Sequence, residues 1–217
     1  PPLEEGTYRI VCVGNAYDTK VENIDARDHS RTSFAAADYI NGETVSGNDP
    51  LYWSAIDYVI APYDEYKQIE TRTTYFKCSH YDISVEVVGV PDPNTKAGNY
   101  PVIALEGVAP RTDFNNRAHG EPTTYVMETN HDGNLTLKGL NNIMRHTNHE
   151  DVWVRVYTPD QKELLAEINF AQFLNKYSDM IDVTKNEVLI PFQIIFKPTE
   201  VTIKLPNWFV ETVRPIL

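Results

Sequence analysis

The sequence has few cysteines, few basic residues and no long apolar run. Its 217 residues include 2 cysteines, and 19 Lys and Arg stand against 31 Asp and Glu, which gives a formal net charge of −12. Because phosphate backbones attract basic surfaces, this deficit argues against a nucleic-acid partner and against attraction to an anionic membrane surface. No segment approaches the roughly 20 apolar residues of a membrane-spanning helix.

The two cysteines, Cys12 and Cys78, each lie inside an apolar, strand-like run. They either form one disulfide in an oxidising compartment or are separate buried thiols, and the strand-like surroundings favour the thiols. Their wide separation excludes the paired spacing of a zinc motif.

What the sequence does contain is period-two alternation of apolar and polar residues, which is typical of half-buried strands. We predict strands in residues 8–13, 83–87, 152–157 and 201–205, the last continuing to Trp208, and a hairpin turn at Asp132-Gly133. Helical signals are weak, and one short helix near residues 170–175 is expected after a strand at 164–168. The prediction is an all-β fold with little helix.

The segment most suitable as a domain boundary is residues 113–122, which has no apolar periodicity. Each side of it holds five or six predicted strands, enough for a small sandwich. We therefore predict an N-terminal β-sandwich in residues 1–117 and a C-terminal β-sandwich in residues 118–217.

Nucleotide and nucleophile motifs are missing from the sequence. There is no glycine-rich phosphate loop and no Gly-x-Ser-x-Gly elbow. Cys78 and His80 would share one face of a strand, which makes an activated thiol conceivable, but no third orienting group is evident and a core thiol is favoured.

The best metal-like cluster is His146, His149, Glu150 and Asp151. Imidazoles and carboxylates bind zinc, but the order His-x-x-His-Glu matches neither zincin arrangement, and a solvated loop is favoured. We predict no enzymatic activity, no metal and no cofactor.

An aromatic cluster between the first and second of these predicted strands is the best candidate for ligand or partner contacts. Its members are Tyr52, Trp53, Tyr58, Tyr63 and Tyr66. Exposed, these rings could stack on sugars or anchor a protein partner, whereas inside a sandwich they would be core and cross-strand pairs, which we favour.

Several segments, in order, resemble the fimbrillin-like surface lipoproteins of Bacteroidales-type bacteria, the FimB/Mfa class and its relatives of unassigned function. Each is a strand pattern and not a catalytic signature. They are residues 3–11 (LEEGTYRIV), 49–53 (DPLYW), 81–90 (YDISVEVVGV), 105–108 (LEGV) and 201–208 (VTIKLPNW).

This resemblance implies two tandem, transthyretin-like β-sandwich domains in an exported protein of the outer membrane or fimbrium. It also implies partners that are other fimbrial subunits, joined when a strand of one completes the sheet of the next. The family's tether is a lipidated N-terminal cysteine, whereas Cys12 lies inside a strand, so we expect the anchor, and further strands, upstream of Pro1.

The function expected from sequence is thus a non-enzymatic fimbrial subunit or accessory, an anchor or minor component. The alternative is a surface carbohydrate-binding lipoprotein that uses the aromatic cluster as a platform. Burial of Tyr52, Trp53 and Tyr58 separates the two hypotheses, because a sugar platform needs an exposed, coplanar row.

Overall fold

The structure is a computed structural model that describes residues 4–25, 29–39, 44–62, 71–90, 99–132 and 135–213. In these ranges it contains strands and two short helices, which confirms the all-β prediction. The first eight strands are β1 (Gly6–Gly14), β2 (Lys20–Glu22), β3 (Ser33–Ala35), β4 (Tyr52–Ile60), β5 (Lys77–Cys78), β6 (His80–Val88), β7 (Val102–Val108) and β8 (Arg111–Asp113). The next are β9 (Ala118–His119), β10 (Thr123–Val126), β11 (Thr129–His131), β12 (Thr136–Met144), β13 (Trp153–Tyr157), β14 (Leu164–Asn169), β15 (Leu189–Lys197) and β16 (Glu200–Lys204). The helices are α1 (Phe170–Lys176) and α2 (Asn207–Val213).

Two sheets form a closed sandwich, which we call the large sandwich. One has the strand order β11-β12-β6-β15-β16 and the other β10-β7-β13-β14, and all pairs are antiparallel except β6 with β15. Alternate residues of the central strands point inward, so the side chains of Ile83, Val85 and Val87 have no exposed surface. Helix α1 closes the core with Phe170 and Phe173.

The remaining two sheets form a smaller N-terminal unit. One has the order β1-β4-β5 and the other β2-β3-β8-β9. Their core is a small cluster of Phe34 and Leu51 with Met144 of β12 in the large sandwich, and partly buried residues such as Val13 and Trp53 pack against it. This unit therefore buries far less apolar surface than the large sandwich.

Strand pairing does not follow the predicted boundary between residues 117 and 118. Strands β6 and β7 precede that boundary, yet β6 pairs with β12 and β15, and β7 pairs with β10 and β13. Conversely, β8 and β9 return to the N-terminal unit and pair with β3 and with each other. The chain crosses between the two units more than once, because sheet order is set by long-range packing.

The C-terminal expectation was wrong beyond residue 204. Strand β16 ends at Lys204, and α2 begins at Asn207 where a strand reaching Trp208 was expected. Pro206 explains the change, since proline is favoured at helix starts and its carbonyl accepts from the backbone N–H of Phe209 at 3.1 Å. Helix α1, by contrast, lies where the sequence predicted it, with the Asn169 side chain accepting from the N–H of Gln172 at 3.1 Å.

Candidate functional site

The N-terminal unit contains an open groove of about 800 Å³ between its two sheets. Four of its lining residues, Thr7, Arg9, Val11 and Val13, are alternate residues of β1, so the groove lies over one face of that strand. Its lining residues are Thr7, Tyr8, Arg9, Val11, Val13, Val21, Ile24, Ser30, Phe34, Phe114 and Asn115.

Strand β1 forms one wall of the groove. All nine of its residues pair with β4, from Gly6 opposite Ile60 to Gly14 opposite Tyr52. In the described part of the chain β1 pairs with no other strand, so its second edge presents unpaired backbone groups. Because strand side chains alternate, Val11 and Val13 share the face that lines the groove.

The opposite wall is apolar and incompletely covered. Phe34 packs on Phe114 with ring centroids 5.0 Å apart. Beside them Val21 keeps 44% and Ile24 62% of their surface exposed although both line the groove. Exposed aliphatic side chains beside a free strand edge mark a surface that another segment can cover.

One end of the groove is polar. The Arg9 guanidinium donates to Asn115 Oδ1 at 3.0 Å and lies 3.8 Å from Asp57 Oδ1. The groove thus combines an apolar stretch, at Val11, Val13 and Phe34, with one cationic end.

The predicted aromatic cluster is divided between the two faces of β4. Tyr52 pairs with Gly14, Trp53 with Val13 and Tyr58 with Tyr8, so Tyr52 and Tyr58 share one face and Trp53 lies on the other. All three side chains are half-buried. Adjacent residues of one strand cannot form a coplanar row, and Tyr63 and Tyr66 lie outside the described residues.

Each of these rings has a local structural contact. Trp53 packs against the small core of the N-terminal unit. The Tyr52 hydroxyl donates to Glu187 Oε1 at 2.9 Å, and this bond raises the pKa of Tyr52 to about 12. The Arg72 guanidinium lies 5.8 Å from the ring centroid of Tyr58.

The thiol of Cys78 is enclosed and not activated. Its Sγ lies 3.1 Å from His80 Nδ1, but that nitrogen also lies 3.0 Å from the carbonyl oxygen of Leu51, which can only accept, so Nδ1 carries the hydrogen. The thiol donates to the carbonyl of His80 at 3.2 Å, and burial raises its pKa. The sequence did not reveal Asp82, whose Oδ1 lies 3.3 Å from His80 Nε2. Cys12 and Cys78 are both free thiols.

His146 and His149 lie together at the end of the large sandwich, with ring centroids 4.7 Å apart. Their rings pack near Tyr81 and Phe170, and His146 Nδ1 donates to the Met144 carbonyl at 3.0 Å. Burial lowers the pKa of His146, and burial together with His146 lowers the pKa of His149 to about 4. In the ranges that the structure describes, no group of three His, Cys, Asp or Glu side chains could hold a metal ion.

Among the described residues, neither helix is long or apolar enough to cross a bilayer. The groove was not identified from sequence, because its walls come from distant segments. A partial signal was present in the apolar residues Val21 and Ile24, which fall in a polar connection where no strand was predicted.

The chain shares its fold with several solved structures. A proposed adhesin from Bacteroides ovatus matches with a TM-score of 0.68 and 13% identity over 95% of this chain and 74% of its own. The fimbrial anchor protein Mfa2 from Porphyromonas gingivalis matches with a TM-score of 0.64 and 14% identity over 93% and 74%. A proposed polysaccharide-binding protein from Bacteroides thetaiotaomicron gives 0.64 and 10% over 99% and 80%.

No curated protein sequence matches the chain. The family model of the fimbrillin-A associated anchor proteins Mfa1 and Mfa2, in contrast, matches residues 1–214, nearly the whole sequence. The match covers well over half of the sequence, and the chain belongs to the family of fimbrillin-A associated anchor proteins Mfa1 and Mfa2.

Proposed function

We propose that this protein is an anchor or minor subunit of a surface fimbria and that it accepts a β-strand from a neighbouring subunit in the groove beside β1. Its family is one of structural, non-enzymatic proteins with a fimbrial or adhesive role at the cell surface. Strand addition is the step that the geometry of the groove supports. A tether to the outer membrane through a lipid anchor is a further part of the proposal that rests on the family resemblance alone.

The observation that carries the proposal is the free edge of β1 next to an apolar, uncovered groove. The nine residues Gly6–Gly14 make a long strand edge. Proteins normally keep free edges short, place charged residues on them or cover them, because a free edge recruits other strands. Here the edge is long and lies beside Val21 and Ile24, which are exposed on the facing wall.

Addition of a strand would pair the free edge of β1 and cover the exposed apolar side chains of the groove. Main-chain hydrogen bonds from the incoming strand would pair the free edge of β1, and its alternate side chains would cover the apolar walls. The lining of Val11, Val13 and Phe34 sets the period at which the incoming strand must present apolar side chains.

A sugar platform on β4 has weaker support. Tyr52 and Tyr58 share a face with each other but not with Trp53, and Tyr52 is already bonded to Glu187. The split of the three rings between two faces removes the row that stacking on a glycan chain requires.

The test is co-purification of the tagged protein with fimbrial subunits from the outer-membrane fraction of producing cells. Val21→Glu places a charge in the groove at a side chain that is 44% exposed, so the fold is expected to survive. The matched control is Val201→Glu on β16, equally exposed at 44% but on the large sandwich.

We expect wild type and Val201→Glu to recover other subunits and Val21→Glu to lose them, with all three proteins showing the same melting behaviour. Equal recovery by both variants would contradict strand addition at this groove. Recovery of the wild-type protein alone would contradict the fimbrial role.

A further inference from the structure

The groove carries a charge in an otherwise uncharged lining. Among its described lining residues Arg9 is the single one with a formal charge, and it lies on the groove side of β1, two residues before Val11 and four before Val13. Its side chain keeps 46% of its surface exposed. An incoming strand that pairs with β1 would therefore place one side chain directly opposite this guanidinium.

The present partners of Arg9 leave its hydrogen-bonding capacity largely unused. A guanidinium has five N–H donors, and with the described residues those of Arg9 make one hydrogen bond, to Asn115, and one long contact, to Asp57. The Asp57 carboxylate is 72% exposed, and exposed ion pairs at such distances contribute little. Asp57 lies opposite Arg9 on β4, so an acidic side chain on a strand added at the other edge of β1 would place a second carboxylate beside this guanidinium.

We propose that Arg9 selects the partner strand by its charge: the strand that fits this groove carries an acidic side chain opposite Arg9 and apolar side chains two and four residues away, opposite Val11 and Val13. This inference rests on the proposed function and adds the chemistry of the partner. The apolar walls determine the spacing of the apolar side chains on the partner strand. Arg9 determines at which end of that apolar stretch the acidic side chain lies.

The physical basis is the cross-strand pair. Side chains directly opposite each other on neighbouring strands lie about 4.5–5.5 Å apart at Cβ, where opposite charges attract and like charges repel. The surrounding chain has a net charge of −12, so an acidic strand is disfavoured everywhere except beside a cation. A single exposed pair of this kind corresponds to about a two- to fivefold difference in affinity.

The experiment uses the full chain and labelled seven-residue peptides of alternating valine and threonine, with one terminal valine replaced by glutamate or by lysine. Each charge is placed at the N-terminal end in one peptide and at the C-terminal end in another, because the direction of the incoming strand is open. Binding is measured by fluorescence anisotropy at low and high salt. Arg9→Glu is the test variant, and Lys197→Glu on β15 changes net charge equally at an exposed site on the large sandwich.

We expect one glutamate peptide to bind wild type and Lys197→Glu about two- to fivefold more tightly than its lysine counterpart, with the difference shrinking at high salt. Arg9→Glu is expected to reverse that preference. Equal binding of glutamate and lysine peptides by wild type, with no change in Arg9→Glu, would overturn the charge selection and leave strand addition standing. Failure of every peptide to bind, or binding that Val21→Glu does not weaken, would overturn both.

Discussion

The two parts of the molecule differ in how completely they bury their apolar surface. In the large sandwich, Ile103, Val154 and Phe192 have no exposed surface, and β6 is paired on both sides. In the N-terminal unit the buried cluster consists of Phe34 and Leu51 together with Met144 of β12, and β1 is paired on one side within the described residues.

The closed core and the proposed assembly site therefore lie in different parts of this chain. The large sandwich contains the larger cluster of buried apolar side chains. The N-terminal unit keeps a free strand edge and exposed aliphatic side chains, which are a liability in a monomer and useful in a polymer. Substitutions should therefore act differently in the two parts.

The largest expected difference comes from truncating a phenylalanine in each core. Phe192 has no exposed surface and stacks on Phe173 with centroids 4.1 Å apart, so Phe192→Ala should cost about 3–5 kcal/mol of unfolding free energy. Phe34→Ala should cost about 2 kcal/mol, because Phe34 borders the groove and little closed cavity is left. Urea denaturation of both variants measures this. Equal losses would contradict the contrast between a closed and an open core.

A smaller effect is expected on acidification, at the His146–His149 pair of the large sandwich. The pKa of His149 is lowered to about 4, so the folded state keeps this ring neutral while the unfolded chain protonates near pH 6.5. Its contribution is thus fully present above pH 6.5 and is lost as the pH falls toward 4. Since the ring is only partly buried, the loss should be about 1 kcal/mol.

The matched variants for this pH effect are His149→Gln and Asn148→Gln. Denaturation midpoints between pH 7 and pH 4.5 should fall less steeply for His149→Gln than for wild type, whereas Asn148→Gln should follow wild type. If the denaturation midpoint of His149→Gln fell with pH as steeply as that of wild type, the His149 ring would not contribute to the loss of stability in acid.

The smallest expected difference concerns two arginines. Arg155 contacts Glu106 and lies 3.0 Å from Glu167 on a half-buried sheet face, so Arg155→Gln should cost about 1 kcal/mol. Arg9→Gln should cost less than about 0.5 kcal/mol, because its ion pair is long and exposed. Denaturation in parallel measures both. A larger loss for Arg9→Gln would give Arg9 a structural role and weaken its role in partner selection.

Local features could be predicted from the sequence. Alternation located β1, β6 and β13 to within a few residues, and the apolar spacing after Asn169 located α1. These elements are determined by side-chain periodicity and capping, which are properties of short segments. The prediction for the C-terminal segment was wrong because the apolar run continues past Pro206, after which α2 begins at Asn207 instead of a continued strand.

Long-range features could not be predicted. Strand β15 pairs in parallel with β6, with Leu189 opposite Asp82, and nothing in either segment specifies that pairing. The groove could not be predicted for the same reason, because its walls at Val11, Phe34 and Phe114 meet only in the folded chain. The family resemblance supplied the idea of strand addition, and the structure supplies the place where it is proposed to occur.

The most direct test of the central claim is amide hydrogen exchange of β1 in the isolated chain and in assembled fimbriae. We expect the β1 amides that do not bond to β4 to exchange quickly in the isolated chain and to become protected on assembly. The amides of β6, already paired on both sides, serve as the internal reference and should not change. Unchanged exchange of β1 on assembly would contradict strand addition at this edge.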